Sequence, residues 1–130
     1  MTTSSTFRVL IIDDERDIRE VARLGLEIVS GWDVDTAANG PEGVRRAAAA
    51  PPDAILLDVM MPDVDGPETL RRLRAEPVTA AVPVVFLTAR TQTADLEWLR
   101  NLGAAGVIAK PFDPVTLGDE LAGLLGREVP

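Results

Sequence analysis

The sequence predicts an α/β domain, a doubly wound five-stranded parallel sheet with helices on both faces. Three observations carry this expectation. Five short runs of apolar and β-branched residues recur along the chain, a helix-compatible stretch follows each, and Gly, Pro and Asp punctuate the joins. Residues 7–12 form the first run, apolar at nearly every position, as expected of a strand buried on both faces. Ile18, Val21, Ala22, Gly25, Ile28 and Val29 then recur at three- and four-residue spacing, with Arg16, Arg19, Glu20, Arg23 and Glu27 mostly opposite. That spacing predicts one continuous amphipathic helix. Residues 32–37 form the second strand. Gly40-Pro41 opens the second helix, because proline at the first helical position lacks only an N–H that would have no partner there. The alanine run 47–50 before Pro51-Pro52 closes it. The third and fourth strands, 54–57 and 82–87, again look buried on both faces. Gly66-Pro67 opens the helix between them. A helix with Leu99 and Leu102 on one stripe follows and stops at Gly103-Ala104-Ala105-Gly106. The fifth strand is 106–109, and Asp113-Pro114 opens the last helix, which carries Leu117, Leu121 and Leu124 on one face.

The chain has 130 residues, of which 46% are hydrophobic. That is one domain's length, expected over residues 7–126 between a disordered tail at 1–6 and a short tail at 127–130. A chain of this size buries roughly two thirds of its unfolded surface and so needs no covalent staple. It has no cysteine and no histidine, which rules out disulfides, thiolate and histidine metal sites, Ser-His-Asp and Cys-His catalysis, and phosphohistidine formed on this chain. Thirteen Lys and Arg against 21 Asp and Glu leave a net charge of −8. A field of that sign repels nucleic acid and anionic membranes, so neither is expected as a direct partner. The first six residues have neither the basic nor the apolar region of a signal peptide, and no apolar run approaches the roughly 18 residues of a membrane span. A cytoplasmic protein is expected.

Parallel strands joined by right-handed crossovers place function beyond their carboxyl ends. Those ends carry Asp13-Asp14-Glu15, Asp58, Thr88 and Lys110-Pro111. If Asp13, Asp14 and Asp58 converge, each like-charged pair at ~4 Å costs about 4 kcal/mol near a protein surface. A cation is therefore expected, and oxygen donors with a phosphoryl group nearby suit Mg²⁺ best. Lys110 is the only lysine among twelve arginines. Its compact ammonium can reach one phosphoryl or carboxylate oxygen where a planar guanidinium is too wide.

Four motifs appear together and in order: Asp13-Asp14 after an apolar strand, Asp58-Val59-Met60-Met61-Pro62-Asp63-Val64-Asp65-Gly66, Thr88-Ala89, and Lys110-Pro111-Phe112. With them, residues 7–126 resemble the response-regulator receiver domain of bacterial two-component signalling. The resemblance implies a flavodoxin-like sheet of strand order 2-1-3-4-5 and a phosphoacceptor signalling domain rather than an enzyme. It implies that Asp58 is the nucleophile and becomes an aspartyl phosphate. Mg²⁺ would be held directly by Asp14, Asp58 and the Met60 backbone carbonyl, and by Asp13 largely through water. Thr88 and Lys110 would hold phosphoryl oxygens, and Lys110-Pro111 would be cis. The implied donor is a histidine kinase or histidine phosphotransfer protein. Output would pass through contact with a downstream protein or through phosphorelay.

Val107 stands where the family usually carries Tyr or Phe, so a rotating ring cannot report phosphorylation here. Trp98 lies off the Leu99–Leu102 stripe and reads either as a half-buried packing residue or as part of a partner surface. Met60 and Arg90, two residues beyond Asp58 and Thr88, are expected to modulate phosphoryl lifetime. A phosphohydrolase of the haloacid dehalogenase kind would open Asp-x-Asp-x-Thr where this chain reads Asp13-Asp14-Glu15-Arg16-Asp17. A flavin carrier would place a Gly/Ser/Thr-rich loop there. A docking module that is never phosphorylated, or a receiver cut from a longer regulator or hybrid kinase, are the alternatives within the family.

Overall fold

The computed structural model describes residues 6–90 and 92–126. The tail expectations for 1–5 and 127–130 lie outside the described residues, and Thr6 is partly buried. The strands are β1 (Arg8–Ile12), β2 (Asp33–Ala37), β3 (Ala54–Asp58), β4 (Val84–Thr88) and β5 (Gly106–Ala109). All neighbouring pairs are parallel, in the order β2-β1-β3-β4-β5. The helices are α1 (Arg16–Leu24), continued by a π-helical segment Gly25–Val29, then α2 (Gly40–Ala49), α3 (Gly66–Ala75), α4 (Thr93–Asn101) and α5 (Leu117–Leu125).

Side chains alternate across the sheet and build two cores. On one face Val9, Ile11, Leu56, Val85, Leu87 and Ile108 pack with Ala22 and Leu26 and with Leu117 and Leu121 of α5. On the other, Leu10, Ile12, Ile55, Leu57, Val84 and Phe86 pack with Leu70 and Leu73 of α3 and Leu99 of α4. Every residue of β3 and β4 is buried, as their unbroken apolar runs require. Each large apolar side chain among them contributes roughly 1.5–3 kcal/mol by leaving water. The edge strand β2 instead alternates, with Asp33 and Asp35 turned to solvent.

Capping matches the punctuation of α2 and α3. Asn39 Oδ1 accepts from Glu42 N at 2.8 Å, and Asp65 Oδ1 from Glu68 N at 2.9 Å, each just ahead of the proline. Two expectations are corrected. The first helix does not hold 3.6 residues per turn: it widens at Gly25, which shifts the phase of every later residue. Beyond the widening Val29 is exposed and Ile28 is 75% exposed, and ahead of it Val21 is exposed too, so the buried side is Ala22, Gly25 and Leu26. Gly25 is required there, since a Cβ would lie 2.4 Å from the Pro114 carbonyl oxygen. The second correction is at Pro114, which does not start α5. Asp113 Oδ1 accepts from Val115 N at 2.9 Å and its carbonyl from Thr116 N at 3.1 Å. A turn thus occupies Asp113 to Thr116, and α5 begins at Leu117.

Candidate functional site

Parallel pairing brings the carboxyl ends of β1, β3, β4 and β5 to one edge. Asp13 follows β1 directly and is fully buried, Asp14 beside it is exposed, and Asp58 closes β3 almost wholly buried. One oxygen of each lies within 4.8 Å of the others. The sequence-predicted convergence of the three carboxylates is therefore met.

Lys110 enters from the end of β5, only 12% of its side chain exposed. Its Nζ lies 2.8 Å from Asp13 Oδ2, donates to Asp58 Oδ1 at 3.1 Å, and stands 3.8 Å from Glu15 Oε1. The Lys110–Pro111 bond is cis. Thr88 is buried at the end of β4, its hydroxyl accepting from Arg90 N at 3.0 Å and its carbonyl from Lys110 N at 2.8 Å. The hydroxyl thus belongs to a local turn, and Thr88 is tied to Lys110 through the backbone. Met60 is 61% exposed, two residues beyond Asp58.

Gly66 is needed at this edge for close approach. A Cβ would meet the Asp58 carbonyl oxygen at 2.5 Å and Val59 Cα at 2.8 Å, and the Gly66 N–H donates to Val59 O at 2.9 Å. α3 therefore starts hard against the segment that carries Asp58, with backbone rather than a flexible side chain in the way.

Burial, then the neighbouring Asp13 charge, push the Asp58 carboxyl up from its ordinary value of 3.8 to about 6, against the pull of Lys110. Burial works against the Lys110 ammonium, but Asp13 and Asp58 outweigh it and hold the amine above its ordinary value. Asp13 Oδ1 accepts from Glu15 N at 2.8 Å. Its Oδ2, though near Lys110, lies off the angles of a directed bond and is a buried oxygen without a hydrogen bond. A buried acceptor left in that state beside two more carboxylates suits a hard cation. The oxygen-rich donor set fits Mg²⁺.

The raised Asp58 pKa has a consequence for stability. Between about pH 4 and 6 the folded protein holds a proton that the unfolded chain has released, so stability falls as pH rises through that window. Without Mg²⁺, melting at pH 5 is expected to exceed melting at pH 7.5 by about 1 kcal/mol, or about 4 °C. Thermal denaturation in chelator at the two pH values checks this. An equal or higher melting point at pH 7.5 would contradict it. The lowered pKa of Glu68, at about 2, acts mainly below about pH 4.5, under the two pH values compared.

The model of the response regulator receiver domain matches residues 9–122. This chain belongs to that family. The receiver is 40% identical over 123 residues to the transcriptional regulatory protein TrcR of Mycobacterium tuberculosis, a match covering 95% of this chain and 47% of that protein. It thus spans about half the length of the curated relatives it matches. Among solved structures, the chemotaxis protein CheY4 of Vibrio cholerae superposes with a TM-score of 0.85 at 32% identity, over 92% of this chain and 99% of that one. The signal receiver domain of a signal transduction histidine kinase from Syntrophus aciditrophicus gives 0.79 at 31% identity, over 93% and 91%. The acidic pocket of Asp13, Asp14 and Asp58 fits phosphoaspartate chemistry and Mg²⁺. No helix among the described residues is long and apolar enough to cross a membrane.

Val107 of the receiver is partly buried against the core under α3 and α4, in the place of the family's ring. Trp98 is 53% exposed while its neighbour Leu99 is buried, so the ring belongs to the surface. Sequence reasoning missed Arg19, counted as a solvated residue of the first helix. Its Nη1 donates to the Asp13 carbonyl oxygen at 2.8 Å. No local signal marks this contact, since an arginine opposite an apolar stripe looks the same whether it is solvated or reaches back over the helix start.

Proposed function

We propose that the receiver accepts a phosphoryl group on Asp58 from a phosphohistidine carried by a histidine kinase or a histidine phosphotransfer protein. The observation that carries this reading is the Lys110 ammonium standing between the buried Asp13 and Asp58 carboxylates. An Asp58 carboxylate oxygen attacks phosphorus. As the P–O bond forms, the donor's P–N bond breaks and its electron pair leaves with the imidazole nitrogen. Phosphoryl transfer asks chiefly for positioning and charge neutralisation. Lys110 neutralises one phosphoryl oxygen, and Thr88, whose hydroxyl accepts from Arg90 N and so keeps its proton to give, donates to another. Asp13, Asp14, Asp58 and the Met60 carbonyl would hold Mg²⁺, which when bound supplies positive charge to the transferring group. Output runs through protein contact or phosphorelay in the cytoplasm, with no direct nucleic acid or membrane partner.

Incubation with phosphoramidate and Mg²⁺ followed by intact mass tests the reading. One added phosphoryl group, absent with chelator, is expected. No addition, where another receiver is labelled, would favour a docking module.

Met60 and Arg90 line one groove with Val59, Pro67 and Trp98. Each stands two residues beyond a strand-end residue of the site, Met60 after Asp58 and Arg90 after Thr88. Met60→Ala and Arg90→Ala are each expected to change the rate of aspartyl phosphate hydrolysis by about fivefold, an effect on the order of 1 kcal/mol. Loss of phosphoprotein with time, after removal of donor, measures it. Parental rates in both variants would show that the groove does not control lifetime.

A further inference from the structure

The Asp13-Asp14 pair is carried on a short connection between β1 and α1, and that connection has little side-chain capping of its own: Glu15, the residue before α1, makes no side-chain cap. Besides the Lys110 ion pair at Oδ2, three hydrogen bonds hold Asp13. Its N–H donates to Ala37 O at 3.2 Å, its Oδ1 accepts from Glu15 N at 2.8 Å, and its carbonyl oxygen accepts from Arg19 Nη1 at 2.8 Å. Of these hydrogen bonds only the last has a side-chain donor, and it is the one that reaches the Asp13–Asp14 peptide. Arg19 also donates its own N–H to Glu15 O at 3.1 Å, within the first turn of α1. Its guanidinium therefore joins the first turn of α1 back to the peptide that separates Asp13 from Asp14. A cationic donor to a carbonyl is a strong bond, and a partly buried arginine gives it a fixed direction.

We propose that Arg19 is a positioning residue for the metal pocket, holding the Asp13–Asp14 peptide so that both carboxylates face Asp58. This rests on the proposed Mg²⁺ site. The guanidinium touches neither the cation nor the phosphoryl group. It acts by fixing the peptide whose two flanking side chains are the ligands.

Electrostatics alone makes the opposite prediction. Removing a positive charge near an acidic pocket raises its affinity for a cation. Removing a positioning bond lowers it, so the sign of the change separates the two. The test is calorimetric Mg²⁺ titration of the unphosphorylated full chain and of Arg19→Met, Arg19→Gln, Arg19→Lys and Arg16→Met. Metal-free melting temperatures are measured in parallel. Partners of ligand-bearing groups typically contribute about 10–100-fold to metal affinity, and both uncharged Arg19 variants are expected to bind about tenfold more weakly. The lysine variant, which can reach the same carbonyl, is expected to recover affinity to within about threefold of the parent. Arg16→Met loses the same charge from the same turn and is expected to match or slightly exceed the parent.

Parental or tighter binding in a folded Arg19→Met or Arg19→Gln would overturn the proposal. If the Met variant does not fold, the Gln variant decides. If neither folds, Arg19 is a stability residue and the proposal fails. Absence of Mg²⁺ binding in the parent would instead overturn the proposed metal site itself, an outcome distinct from the first.

Discussion

Asp58→Asn is expected to take up no phosphoryl group under conditions that label the parent. The amide keeps the shape of the carboxylate but has no charged oxygen to attack phosphorus, and of the pocket's three carboxylates only Asp58 accepts a directed hydrogen bond from Lys110. The same change is expected to stabilise the metal-free protein near neutral pH. Ionising Asp58 in the folded state is unfavourable, as its pKa of about 6 shows, and asparagine resembles the neutral form. A shift of that size corresponds to a gain of up to about 3 kcal/mol at pH 7.5. The dependence of melting on pH between 5 and 7.5 should flatten with it. Intact mass and chelator-treated thermal melts measure the two effects separately. Labelling of the variant to the parent's extent would place the acceptor elsewhere.

Lys110→Met has the second large effect. Methionine keeps most of the stem and removes the charge, leaving Asp13 and Asp58 facing each other without their shared cation. Breaking a buried pair by removing one partner costs about 3 kcal/mol or more. The metal-free variant is therefore expected to melt well below the parent at pH 7.5 and to recover part of the loss at pH 5, where Asp58 takes a proton. Phosphoryl uptake is expected to slow by about 10²-fold, as when one donor to a developing charge is removed. Lys110→Arg should not restore it, since the wide guanidinium cannot replace a compact ammonium held in a space shared by two carboxylates. Rates of phosphoryl incorporation read by mass check both variants, and a near-parental rate in Lys110→Met would remove Lys110 from the chemistry.

Legibility in the sequence followed how local the governing physics was. β3 and β4 are read from unbroken apolar runs, because a strand covered on both faces has no polar side to display. α2 and α3 are read from Asn39, Asp65 and the prolines after them, because capping acts within four residues. The first helix was misjudged in phase. Its apolar spacing fits a 3.6-residue turn, but the backbone widens at Gly25 where Pro114, 89 residues away in the chain, lies against it. Pro114 misled in turn, since Asp113 closes a turn before α5 begins.

The same division runs through the site. Order of elements, a doubly wound parallel sheet, and the presence of Asp13, Asp14, Asp58, Thr88 and Lys110 at strand ends follow from periodicity and parallel connection, which act along the chain; the strand order 2-1-3-4-5 comes from the resemblance to the receiver family. The 2.8 and 3.1 Å approaches of Lys110, the raised pKa of Asp58, the Thr88–Arg90 turn and the Arg19 bond to the Asp13 carbonyl follow from neither. They depend on distance and burial between segments as much as 97 residues apart, such as Asp13 and Lys110. Coulomb energy and desolvation are set by where those groups meet, and only the packed sheet and its helices bring them together.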